Sequence, residues 1–114
     1  MKTDPIVEGL CRLPVDFYRG QKSMADLVAE SGIDVNPTAL AVARILAYVT
    51  AYPELVEQWL RWSENKRVTP GWHFVHRSDG YQVGFHPNGE VLNIAQPEPA
   101  CAEFVVREVK ALRR

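Results

Sequence analysis

WHFVHRSDGYQVGFHPNGEVLNI, residues 72–94, alternates apolar and polar side chains around two turn dipeptides, Asp79-Gly80 and Asn88-Gly89. Alternation with a period of two is the pattern of half-buried strands. Both dipeptides are of the kind that fills two-residue type I′ hairpin turns, whose central residues tolerate positive φ. The stretch therefore predicts a three-stranded antiparallel meander. A loop at 79 and 80 sets Phe74 opposite Phe85 and His73 opposite His86, and a loop at 88 and 89 sets Phe85 opposite Leu92 and Val83 opposite Ile94. One face then carries Trp72, Phe74, Tyr81, Val83, Phe85, Leu92 and Ile94, and a slip of one residue would turn all of them to water. That face is the expected core side.

Outside the meander the spacing is helical. Asp4 before Pro5 marks a helix start, and Pro14 is read as its end. Ser23 with Asp26 three places on forms a capping-box pattern that opens a short helix over 24–31, closed by Gly32. Asn36-Pro37 repeats the start signal for a helix running to about Ala51, with Leu40, Ala43, Leu46 and Ala47 as its apolar positions. Pro53 opens another helix, in which Leu55, Val56, Trp59 and Leu60 form a stripe that Trp62 widens. After the breakers in QPEP a last helix from about Pro99 places Cys101, Val105, Val109 and Leu112 on one side. The expected architecture is α+β: a helical N-terminal half, the meander over about 72–94, and a C-terminal helix packed on the sheet, in a single domain over 1–114.

Composition agrees. At 114 residues, 46% apolar and 24% charged, the chain is of ordinary single-domain size and globular composition. Its thirteen basic and fourteen acidic side chains leave a net charge of -1, which gives no field of the kind that draws nucleic acid or an anionic membrane. MKTDPIVEGL lacks the apolar core of a signal peptide and no apolar run approaches a membrane span, so the expected location is the cytoplasm. In that compartment Cys11 and Cys101, both on apolar helical faces, are expected as reduced, packed thiols.

The polar side of the meander collects the residues best suited to chemistry: His73, Arg77 and His86, with Gln82 and Asn93. Two imidazoles beside an arginine can divide acid and base roles in phosphodiester cleavage, and a cross-strand pair supplies two zinc ligands, although no third is identifiable. A solvent-facing sheet surface is polar for simpler reasons. There is no G-x-S-x-G elbow, no phosphate-binding glycine loop, and no motif that requires a cofactor. Segment 23–48, SMADLVAESGIDVNPTALAVARILAY, has the phasing of a helix-turn-helix, but Arg44 is the only cation on its second helix, whereas phosphate contacts supply most DNA affinity. Trp59 and Trp72 fall on core stripes. Trp62, flanked by Arg61, Lys66 and Arg67, is the indole expected at an exposed edge, where aromatic and basic groups anchor interfaces.

WLRWSENKRVTPGWHF, running from helix into first strand, and ACAEFVVREVKAL in the last helix together resemble small bacterial α+β proteins from polymorphic or contact-dependent toxin systems, in which an immunity protein binds and blocks a toxin domain. The resemblance implies a non-enzymatic, cytoplasmic protein-binding domain with a cognate toxin as partner. The N-terminal third fits such a partner: six acids, Asp4, Glu8, Asp16, Asp26, Glu30 and Asp34, outnumber the four bases before residue 40. Against a basic enzyme domain, Asp16, Asp26, Glu30 and Asp34 would steer association. Partner contact is thus expected from those four acids and from Trp62, Lys66, Arg67, His73, Arg77 and His86. The alternatives are a DNA-binding regulator using 23–48 and a small nuclease or metal-dependent hydrolase using His73 and His86.

Overall fold

The computed structural model describes residues 4–20, 22–66 and 70–113. Asp4 caps the first helix, α1 (Pro5–Cys11), through Oδ1, which accepts from the Ile6 amide at 2.8 Å. The chain turns at Arg12 and a second helix, α2 (Leu13–Arg19), follows at once. Pro14 is therefore not a terminator; it sits in the first turn of α2, where a missing amide hydrogen has no partner to lose. Ser23 caps α3 (Met24–Glu30) as its spacing predicts, its Oγ accepting from the Asp26 amide at 3.1 Å.

Asn36-Pro37 opens only a 3₁₀ turn, Pro37–Ala39, and the longer helix α4 begins later, at Val42, and ends at Ala51. Its buried side is Ile45, Tyr48 and Val49, while Ala43 and Ala47 are exposed. Of the expected apolar positions Leu40 is buried and Leu46 packs against the core, while Ala43 and Ala47 give way to the bulkier set, which removes more apolar area from water. Helix α5 (Leu55–Lys66) leads to the strands β1 (Gly71–Arg77), β2 (Gly80–His86) and β3 (Val91–Ile94), and α6 (Pro97–Leu112) closes the fold.

The three strands form one antiparallel sheet in the order β1-β2-β3. Both hairpins are offset by two residues from the expected registers. Phe74 faces Val83 and His73 faces Gly84 across β1 and β2; Val83 faces Leu92 across β2 and β3. The first loop is Ser78-Asp79, with Gly80 already paired to Arg77. The second is four residues long, 86–89, closed by the Phe85 amide donating to the Glu90 carbonyl at 2.9 Å. A shift of two preserves every face, so the apolar set named from the sequence remains on one side.

Helix α6 lies on that side and also packs on α1, α3, α4 and α5. Phe104 of α6 stacks on Phe74 with centroids 5.5 Å apart and meets the Trp59 ring edge-on at 5.9 Å. Trp59 is fully buried, its indole nitrogen donating to the Cys11 carbonyl at 2.9 Å. Beside this cluster Glu108 is only 3% exposed. Its two carboxylate oxygens accept from Lys66 Nζ at 2.9 and 2.8 Å, and Oε2 also accepts from Trp62 Nε1 at 2.7 Å. One residue along α5 from Trp62, Ser63 Oγ accepts from the Phe74 amide at 2.7 Å and ties β1 to the helix.

A buried carboxylate stripped of its cation is costly, whereas an ion pair replaced as a unit is not. Lys66→Met is expected to lower the unfolding free energy in urea by about 3–5 kcal/mol. Lys66→Met combined with Glu108→Gln, which keeps an acceptor for Trp62, is expected to recover most of that loss. Equal destabilisation by the single and the double variant would contradict this account.

Candidate functional site

The sheet face turned away from α6 is built by alternation: His73, Val75 and Arg77 from β1, Gln82, Gly84 and His86 from β2, and Val91 and Asn93 from β3. Arg77, His86, Val91 and Asn93 are exposed, and His73, Val75 and Gln82 half-buried. The observed register corrects the expectation that the two imidazoles stand directly opposite. His73 faces Gly84, and His86 is its diagonal neighbour, with ring centroids 6.2 Å apart and planes at 75°.

Gly84 is what makes room. A Cβ there would lie 2.9 Å from His73 Cε1, so the imidazole lies over the backbone of the central strand. His73 Nε2 is 3.3 Å from Gln82 Oε1, and Arg77 Nη2 donates to the same oxygen at 3.4 Å. Guanidinium nitrogens only donate, so the amide atom between them is the oxygen, and His73 bonds it in the tautomer that carries the hydrogen on Nε2. In the neutral ring the lone pair is then on Nδ1. At the hairpin tip a shallow hollow of about 200 Å³ opens between Arg77, Asp79, Tyr81 and Asn93.

The other residues singled out from the sequence do not join this face. Asp16 on α2 and Asp26 on α3 are exposed. Glu30 is paired with Lys22 at 2.6 Å, and Asp34 with Arg113 at 3.0 Å. Trp62 and Lys66 do not form an exposed anchor, because both turn inward to Glu108, and the Lys66 side chain is just 7% exposed. Arg67 lies outside the described residues. An aromatic-basic group does reach the surface nearby, but it is built on Tyr18: Arg61 lies 4.8 Å over its ring, and Asn65 donates to its hydroxyl at 3.2 Å. Tyr18 and Asn65 are 47 positions apart, and only the packing of α2 on α5 joins them.

In segment 23–48, α3 and α4 are separated by residues 31–41, which include the 3₁₀ turn. Asn36 and Thr38 bond each other at 2.6 Å, and Arg44 lies 3.9 Å from Asp4. Among the described residues no three His, Cys, Asp or Glu side chains are grouped to hold a metal ion, and no helix is long and apolar enough to cross a membrane.

Both cysteines are free and buried. Burial pushes the Cys11 thiol from its ordinary 9.0 up to about 12, and Cys101 is raised too, mainly by burial. The folded chain therefore holds these protons longer than the unfolded chain. The stability this gives is complete below pH 9.0 and is lost as pH rises toward about 12. Chemical unfolding at pH 8, 9 and 10 is expected to show a midpoint that falls only over the upper part of that range, and an aromatic disulfide reagent at pH 8 should find both thiols only after unfolding.

Comparisons with protein-family models, with curated proteins and with solved structures each give no match.

Proposed function

We propose that this chain is a protein-binding domain, acting in a narrower reading as an immunity-type inhibitor that covers a toxin domain with the outer face of its sheet. The observation that carries the proposal is the composition of that face on a rigid support. Its middle row runs His73, Gly84, Val91, an imidazole and an apolar side chain on either side of a glycine, and the next runs Val75, Gln82, Asn93, with Arg77 at the end of β1. Two valines on the outer strands flank a centre of hydrogen-bonding groups, and protein interfaces likewise combine apolar and hydrogen-bonding contacts. Elsewhere the groups most capable of chemistry are committed to the fold: two buried thiols and a carboxylate neutralised by Lys66.

Asp16 and Asp26 are exposed, and charges so placed raise association rates with a basic partner more than they raise affinity. The partner of this reading is encoded beside the chain's own reading frame. Co-expression with that neighbour is expected to give a complex that co-purifies. Val91→Lys, which sets a cation buried by the complex against that basic partner, should weaken it by about tenfold or more through faster dissociation, a loss of about 1.4 kcal/mol. Asp16→Lys with Asp26→Lys should slow association and flatten its salt dependence. A neighbour that does not bind, together with a low-salt mobility shift of DNA that fades steeply as salt rises, would replace the proposal with nucleic-acid binding.

A further inference from the structure

We propose that His73 and His86 form a two-imidazole site for a divalent late transition-metal ion, Cu2+ above all, on the outer face of the sheet. The site stands on geometry independent of any protein partner. The two rings share a face, lie on adjacent strands as diagonal neighbours, and stand nearly perpendicular with centroids 6.2 Å apart. An imidazole nitrogen binds zinc at about 2.0–2.1 Å, so two rings that share an ion need their nitrogens about 3–4 Å apart. In the proposed site the His86 side chain, exposed at the end of β2, turns to that separation.

His73 is held in the form a ligand needs. Gln82 Oε1, fixed as an acceptor by Arg77, keeps the hydrogen on Nε2 and leaves the lone pair on Nδ1. Gln82 and His86 flank Gly84 along β2, and Nδ1 is the His73 ring nitrogen that the Gln82 bond leaves unengaged. An outer hydrogen bond that fixes the tautomer of a ligating histidine is a recurrent part of metal sites and raises the basicity of the free nitrogen. Gly84 removes the side chain that would lift His73 off the sheet. Imidazole suits zinc, copper and nickel, and the usual affinity order of divalent first-row ions puts Cu2+ first. Water completes the coordination.

The remaining histidine is a built-in control. His76 is on the opposite face, stacked on Tyr81 with centroids 4.4 Å apart. Calorimetric titration of the full chain with CuCl2 and with NiCl2 at neutral pH is expected to show one saturable site, tighter for Cu2+. His73→Ala or His86→Ala should leave no saturable uptake, and His76→Ala should leave it unchanged. Gln82→Leu, which keeps both imidazoles, should weaken uptake by about tenfold or more. If His73→Ala does not fold, His86→Ala and Gln82→Leu decide the matter. Unaltered affinity in these variants, loss on His76→Ala, or absence of saturable uptake by the native chain overturns the site.

Discussion

A helix that is apolar over most of its circumference has to be wrapped, and α6 imposes that condition on the rest of the chain. Ala100, Cys101 and Ala102 are buried in succession, then Phe104, Val105, Val106, Glu108 and Val109, which leaves Glu103, Arg107 and Lys110 as a narrow polar stripe. The sheet covers one flank, and α1, α3, α4 and α5 cover others. Glu108 makes the wrapping specific. A carboxylate at that depth needs a cation and its remaining lone pairs satisfied, and both come from α5, as Lys66 and Trp62. Ser63, between them, then meets the Phe74 amide. One buried charge thus aligns α5, α5 aligns β1, and β1 fixes which side of the meander is left outside.

The meander shows what alternation conveys and what it omits. A period of two assigns faces and is blind to a shift of two, so faces were legible in the sequence while the register depended on the turn residues. Gly80 misled there. Its φ of +146° is not the conformation of a type I′ turn, and a Cβ at this position would lie 3.0 Å from the Ile94 carbonyl oxygen. The glycine serves the close approach of β3, and local sequence does not record which of these needs a glycine answers. The same limit explains Pro14, read as a terminator although it lies in the first turn of α2, and Asn36-Pro37, correct as a start signal but silent about whether a long helix or a 3₁₀ turn follows.

For the candidate site, residue type and side of the sheet were legible, and contact was not. His73, Arg77, Gln82 and His86 could be placed on one face, yet the bonds that join His73 and Arg77 through Gln82 exist because Gly84, and not His86, is opposite His73. Glu108 could have been found: it is seven positions after Cys101 on the stripe that also holds Val105 and Leu112, a position where a carboxylate demands a partner. Lys66 and Trp62 were drawn to the surface by composition, because basic and aromatic side chains in a row resemble an interface whenever the buried acid that needs them is distant in sequence.

Gly84 joins the two sides of this structure. Its neighbours along β2, Val83 and Phe85, point to the α6 side, Val83 into the core and Phe85 against Trp72, while its own missing side chain shapes the outer surface by admitting the imidazole of His73. Core-side residues of the meander are constrained by Phe104, Trp59 and the Glu108 cluster; on the outer side His73 and Arg77 are joined through Gln82, and His73 meets His86. Substitution at His73, Arg77, Gln82 or His86 therefore opens no cavity in the core, which is the source of large losses in stability. Side-chain chemistry can change on such a face at little cost to folding, provided Gly84 remains small.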